Sequence, residues 1–142
     1  MTVQQITPIF RSFDEAKAKE FYVDYLGFEV TFEHRFDKDA PLYFGVALGN
    51  GTELHLSEHH GDCTPGSTLR LEVDDIASFH AQLAAKNYRN ARPGIQQQPW
   101  GFREMTVTDP FGNKLVFCQP DETVIEERKK RSTGEAGSKD KR

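Results

Sequence analysis

The strongest alternation of apolar and polar residues lies between residues 99 and 118. Side chains on a strand point to alternate faces, so this pattern predicts two strands, each with one apolar and one polar face. The run Asp-Pro-Phe-Gly-Asn at 109–113 predicts a tight turn between them, because Asp bonds to nearby backbone N–H groups, Pro presets φ and Gly tolerates positive φ. If Asp109 pairs with Asn113, the core face carries Met105, Val107, Leu115 and Phe117. The other face, where we look for functional residues, carries Glu104, Thr106, Val116 and Cys118.

The rest of the chain alternates between strand-like and helix-like periodicity. Gly27 is placed to end the first helix, and Asn50-Gly51 is a strong hairpin signal. The Gln-rich stretch 92–99 is predicted to be an irregular connection. We predict strands over residues 3–11, 28–35, 42–48, 52–57 and 68–73, and helices over 13–26 and 74–86.

The second half of the chain repeats the pattern of the first at an offset of 61 residues, so that Asp14 falls on Asp75. Each half consists of a strand, a helix and two or three further strands. Repeats of this kind predict stacked copies of one structural unit. The sequence therefore predicts an α+β fold of two βαβββ modules, over about 3–58 and 66–119, which form a curved, incomplete barrel around a cleft.

Charge and composition narrow the functional classes. The formal net charge is −4, with −5 on residues 1–120 and +1 on residues 121–142. The acidic body argues against nucleic acid as a partner. Neither a membrane-spanning stretch nor a signal sequence is evident, so we expect a soluble cytoplasmic protein. Residues 121–142 are charged and poor in apolar side chains. They are predicted to form a mostly disordered tail with one helical turn near 124–130.

The two repeated units, the Asp-Pro-Phe-Gly-Asn turn and the run Pro-Trp-Gly-Phe-Arg-Glu-Met at 99–105 together resemble the vicinal-oxygen-chelate superfamily. This superfamily includes glyoxalase I, extradiol dioxygenases and bleomycin-resistance proteins. The resemblance covers about residues 3–119 and is stronger to the bleomycin-resistance branch. It implies a homodimer whose shared clefts bind and sequester a bulky cationic glycopeptide antibiotic without chemistry or cofactor, and so confer resistance.

Enzymes of this superfamily hold a divalent metal with four side chains from the first and last strands of the two modules. In this chain the resemblance places those positions at Thr7, His55, Thr68 and Val116. Only His55 is a good ligand, and a catalytic site needs about three, so the usual metal site is predicted to be absent. One alternative stays open, a lyase or oxidoreductase with a displaced metal site built from His55, Glu58, His59 and Glu104.

Aromatic and acidic residues around the predicted cleft are the candidate ligand contacts. Aromatic rings stack on planar heterocycles or lie against cations, and carboxylates pair with cations. Arg70 opposes a cationic ligand, because it could neutralise those carboxylates. The candidate ligand-binding residues are Phe32, Tyr43, Glu53, His55, Arg70, Trp100, Phe102 and Glu104. A second alternative is a vestigial cleft in a protein that acts through partners or its charged tail.

Overall fold

The computed structural model describes residues 1–133. Within them the strands form two four-stranded sheets, with helices packed against the apolar face of each. The strands are β1 (Ile9–Arg11), β2 (Glu29–His34), β3 (Tyr43–Gly49), β4 (Thr52–Ser57), β5 (Thr68–Glu72), β6 (Gln96–Gln97), β7 (Phe102–Thr108) and β8 (Lys114–Pro120). The helices are α1 (Glu15–Lys19), which continues as a π-helical segment (Glu20–Tyr25), α2 (Ile76–Ala85) and α3 (Glu122–Thr133).

The two sheets have the same topology, which confirms the predicted pair of βαβββ modules. The strand orders are β1-β4-β3-β2 and β5-β8-β7-β6, with the first pair of each sheet parallel. The registers match as well, since Ile9 pairs with His55 in the first sheet and Arg70 pairs with Val116 in the second. These pairs lie 61 residues apart in sequence, so the offset found in the sequence pattern is also the structural repeat.

The β7–β8 hairpin forms in the predicted register. The backbone N–H of Asp109 donates to the carbonyl of Asn113 (2.8 Å), and Val107 lies opposite Leu115. Gly112 has a φ of +92°, a conformation that other residues rarely adopt. The predicted core face is buried throughout, with no side chain more than 2 % exposed among Met105, Val107, Leu115 and Phe117.

Asp109 joins the modules as well as the hairpin. Its carboxylate accepts hydrogen bonds from the backbone N–H groups of Phe111 (2.8 Å) and Asn113 (2.9 Å), and from the buried hydroxyl of Tyr22 in the first module (2.6 Å). Burial and this neighbouring carboxylate raise the pKa of Tyr22, so the hydroxyl stays protonated and donates. The side-chain amide of Asn113 donates to the carbonyl of Arg11 in β1 (2.9 Å). The turn therefore fixes how the two modules pack.

Strand β1 is shorter than predicted. The sequence pattern predicts a strand over residues 3–11, whereas only Ile9–Arg11 pairs, with β4. Pro8 has no N–H to donate, and residues 3–6 lie exposed, with Val3 65 % and Ile6 79 % accessible. Alternation alone overestimates the strand, because a strand also needs a neighbouring strand to pair with.

The prediction of a disordered tail with one helical turn is wrong for residues 122–133, which form the 12-residue helix α3. The carboxylate of Asp121 accepts hydrogen bonds from the N–H groups of Thr123 (2.9 Å) and Val124 (3.2 Å), which begins the helix as an N-cap does. Residues 134–142, the rest of the predicted tail, lie outside the described residues. No helix within residues 1–133 is long and apolar enough to cross a membrane.

We predict that Asp109→Ala destabilises the protein by about 3 kcal/mol, since it leaves the buried Tyr22 hydroxyl and two backbone N–H groups without their acceptor. Tyr22→Phe should cost about 1 kcal/mol, because it removes one hydrogen bond and keeps the ring. Urea unfolding followed by circular dichroism measures both changes. The exposed Asp74→Ala is the control and should lie within about 0.5 kcal/mol of the wild type. Equal stability of the Asp109 and Asp74 variants would contradict the role of Asp109.

Candidate functional site

Four of the candidate ligand contacts lie together on the first sheet. The Phe32 ring meets the His55 ring edge to face at 4.9 Å and lies 6.0 Å from the Tyr43 ring. Glu53 precedes His55 on the same face of β4, since the two are two residues apart. We call this group, Phe32, Tyr43, Glu53 and His55, the first cluster. It offers a ligand an aromatic wall, of which Phe32 is 38 % exposed.

Hydrogen bonds hold the His55 ring in place on both sides. Its Nδ1 lies 2.8 Å from the Tyr43 hydroxyl, and its Nε2 lies 3.3 Å from Glu53 Oε1. Burial, with the charges of Asp62 and Cys63, raises the pKa of Tyr43, so its hydroxyl keeps its proton and is able to donate to Nδ1. Because an ionised carboxylate only accepts hydrogen bonds, the ring nitrogen that faces Glu53, Nε2, is the donor in this pair. With both ring nitrogens hydrogen-bonded, the imidazole of His55 is held in a fixed orientation as a flat contact surface.

A close approach at Gly45 brings the first cluster together. A Cβ at this position would lie 2.5 Å from Phe32 Cε1, 2.8 Å from Thr31 Oγ1 and 2.9 Å from Glu53 Oε1. Thr31 also donates a hydrogen bond to the same Glu53 oxygen (2.8 Å). Any larger residue at Gly45 would therefore displace the carboxylate and the ring. Sequence reasoning did not find this role, because a lone glycine in a strand has several structural explanations.

The other four candidates lie together on the second sheet. The indole N–H of Trp100 donates to Glu104 Oε2 (2.7 Å), and Arg70 Nη1 lies 2.7 Å from the same oxygen. The guanidinium of Arg70 also lies 4.8 Å from the centre of the Phe102 ring. We call Arg70, Trp100, Phe102 and Glu104 the second cluster. The carboxylate of Glu104 is already neutralised by Arg70, and the Glu104 side chain is only 9 % exposed. Glu104 therefore positions Trp100 and leaves little negative charge for a ligand.

Two residues that the sequence analysis did not select as ligand contacts complete the second face. Arg128 on α3 donates to both oxygens of Glu72 on β5 (2.8 and 2.9 Å), and its guanidinium lies 5.8 Å from the centre of the Phe102 ring. The hydrogen bonds from Arg128 hold the pKa of Glu72 below its usual value. Arg128 could have been placed here only if α3 had been predicted as a helix. The sequence gives little signal for that helix, because it contains just two apolar residues, Val124 and Ile125.

The two clusters lie on different modules and do not touch each other. Among residues 1–133, no hydrogen bond, ion pair or ring contact links one cluster to the other. A cavity of about 920 Å³ lies between the modules, and only Glu53 of the first cluster and Arg70 of the second line it. Its charged lining residues are Glu53, Arg70, Glu72, Asp74 and Asp75, so four are acidic and one is basic.

Of the four positions that hold the metal in enzymes of the superfamily, one is apolar in this chain. Val116 has no donor atom, and it lies between Arg70 and Thr106 on the neighbouring strands. The displaced set does not assemble either: within the described part of the chain, no three His, Cys, Asp or Glu residues form a group that could hold a metal. Glu58 instead accepts a hydrogen bond from the Leu42 N–H (2.9 Å), at the end of the first sheet.

The family model described as "Glyoxalase superfamily protein" matches residues 1–123. The chain belongs to the glyoxalase superfamily. This agrees with the resemblance inferred from the repeated modules and the Asp-Pro-Phe-Gly-Asn turn. Among curated proteins, none matches the chain significantly.

Solved structures of this superfamily have the same fold. TnmS3, an antibiotic-binding protein from Streptomyces sp. CB03234, is 26% identical, with a TM-score of 0.67 over 85% of this chain and 99% of its own. A bleomycin-binding protein solved with bleomycin is 26% identical, with a TM-score of 0.61 over 84% of this chain and 100% of its own. A glyoxalase-related enzyme from Clostridium phytofermentans, 21% identical with a TM-score of 0.69 over 84% of this chain and 97% of its own, shares the fold.

Trp100 is the single tryptophan, so its indole N–H gives one resolved signal in a ¹H–¹⁵N spectrum. We predict that Glu104→Ala moves this signal upfield and speeds its exchange with water about fivefold, because a hydrogen bond worth about 1 kcal/mol is lost. The exposed Glu127→Ala is the matched control and should leave both properties unchanged. An unchanged signal in the Glu104 variant would show that the indole is not bonded to this carboxylate.

Proposed function

We propose that this protein binds and sequesters a partly aromatic, cationic small molecule of the bleomycin-type antibiotic class, without bond-making, and so confers resistance to it. The observation that carries the proposal is the pair of clusters, each an exposed aromatic surface beside a hydrogen-bonded carboxylate. Such surfaces bind planar ring systems by stacking and orient them with a few polar contacts. The two antibiotic-binding neighbours, each 26% identical, support the same ligand class.

The proposed binding site needs two copies of the chain. The two clusters are separated within one copy, and each presents an exposed aromatic residue, Phe32 at 38 % and Trp100 at 57 %. Every residue of β2 is exposed, which leaves this edge strand uncovered on both faces. A symmetric homodimer that places the first cluster of one copy against the second cluster of its partner would cover both surfaces and form two equivalent clefts.

The charge pattern supports a cationic group on the ligand. Four of the five charged side chains that line the cavity between the modules are acidic. Arg70 is paired with Glu104 and Glu72 with Arg128, so within residues 1–133 the acids without an Arg or Lys partner are Glu53, Asp74 and Asp75. Both polar contacts of Glu53 go to its Oε1, so Oε2 is available to a ligand amine. Residues 1–120 carry a net charge of −5, which attracts cations over longer distances.

We predict that bleomycin binds the wild-type protein with micromolar affinity or better and quenches Trp100 fluorescence. Phe32→Ala and Trp100→Ala should each weaken binding roughly thirtyfold in calorimetry, because the loss of a stacked aromatic anchor costs about 2 kcal/mol. Gly45→Ala should also weaken binding, since it displaces Phe32 and Glu53, whereas Gly94→Ala, with open space around its Cβ, is the matched control. Absence of binding at high drug concentration would overturn the proposal.

A mixing experiment tests whether the site is shared. Phe32→Ala and Trp100→Ala chains, mixed and allowed to exchange, should regain about one quarter of the wild-type sites, because half of the dimers are mixed and each of these has one intact cleft. If one copy supplied both clusters, every site in the mixture would stay damaged and no tight binding would return. Sedimentation equilibrium on the same samples must show a dimer.

A further inference from the structure

Helix α3 lies almost wholly beyond the part of the chain that the family model matches. The family model ends at residue 123, and the solved neighbours described above cover 84–85% of this chain while matching nearly all of their own. Helix α3 spans Glu122–Thr133, so almost all of it lies beyond that match. It nevertheless reaches the candidate ligand-binding face, because its residue Arg128 contacts Phe102 of the second cluster.

The contacts of Arg128 are those by which proteins recognise a guanidinium ligand. Two nitrogens of one guanidinium bond to the two oxygens of Glu72, at 2.8 and 2.9 Å, in the bidentate arrangement that favours this group. The same guanidinium lies 5.8 Å from the centre of the Phe102 ring, within the range of a cation–π contact. Carboxylate and ring thus form a small subsite for a planar or compact cation.

The subsite opens toward the cavity between the modules. Glu72 lines that cavity, as do its neighbours Asp74 and Asp75 and the first cluster's Glu53. Arg70, on the same strand as Glu72, is already paired with Glu104 and stacked near Phe102. A ligand that enters the cavity can therefore reach the Glu72 carboxylate beside the Phe102 ring. To bind there, it has to displace the guanidinium of Arg128.

The contacts that hold helix α3 against the second sheet are weak enough for a ligand to displace it. It has no buried residue, and both partners in the Arg128–Glu72 pair are 46% exposed. An exposed ion pair contributes little to stability, and a 12-residue helix is marginal without packing. Its main apolar anchor is Val124, which packs so closely against Gly101 that an added Cβ there would lie 2.5 Å from its Cγ2.

We propose that Glu72 and Phe102 form a binding subsite for a guanidinium or alkylammonium group of the ligand, and that Arg128 on α3 occupies this subsite as an internal competitor. In the closed state α3 covers the subsite, and a cationic ligand displaces Arg128 and releases the helix. This inference deepens the proposed function and rests on it for the identity of the whole ligand. The subsite itself can be tested with a small cation alone.

The test compares butylguanidinium with butylurea, which has nearly the same shape and no charge. Each is titrated at pH 7 into the wild type, Arg128→Ala and Lys129→Ala, with amide shifts around Glu72 and Phe102 as the readout. Within residues 1–133, the side chain of Lys129 forms only an exposed pair with Glu126 on the same helix, which makes it the matched control. If Arg128 occupies the subsite in about nine of ten molecules, its removal should tighten butylguanidinium binding about tenfold. The control should bind like the wild type, and butylurea should bind none of the three.

A second readout needs no substitution. Butylguanidinium added to the wild-type protein should speed hydrogen exchange of the α3 amides, because the released helix frays, while butylurea should leave them unchanged. Equal affinity of the wild type and Arg128→Ala for butylguanidinium, equal binding of the two probes, or unchanged α3 exchange at saturation would each overturn the inference. Bleomycin titration stays separate: a protein that binds butylguanidinium as described but not bleomycin retains the subsite and loses the proposed function.

Discussion

Alternation of side chains along paired strands is the constraint on which the rest of this structure depends. Once Ile9 pairs with His55 and Arg70 with Val116, alternate residues of these paired strands face the helices, and the residues between them face away. The apolar set packs with Tyr22 and α2 into one core. The residues that face away from the helices include the polar and aromatic side chains of the two clusters.

The two modules have the same strand topology but different side chains at equivalent positions. Positions related by the repeat hold His55 in one sheet and Val116 in the other, and Tyr43 in one and Glu104 in the other. The first face is therefore a wall of rings fixed by Tyr43, His55 and Glu53. The second is a set of charges that neutralise one another around Phe102. A ligand held between two such different faces would meet rings on one side and paired charges on the other.

The repeat, the modules and the hairpin register could be predicted because they depend on local rules: alternation, turn chemistry and the spacing of apolar residues. The pairing of Val107 with Leu115 follows from the turn alone. The extents of β1 and α3 could not be predicted in this way. Ile6 has the right pattern but no partner strand, and α3 has few apolar residues and depends on the Asp121 cap and the contact of Val124 with Gly101.

The candidate contacts are still a prediction, and the sequence could not show that they divide into two separate groups. That division depends on how the modules pack, which the buried bonds of Asp109 and Asn113 fix across more than eighty residues of sequence. The neutralisation of Glu72 by Arg128 could not be seen in the sequence for a different reason, because it depends on α3, which was not predicted as a helix.

A crystal structure of the protein with bleomycin bound would test the central claim most directly. The account predicts ligand rings lying between Phe32 and Tyr43 of one copy and Trp100 and Phe102 of its partner. A ligand that contacts one cluster alone, or both clusters of a single copy, would contradict it.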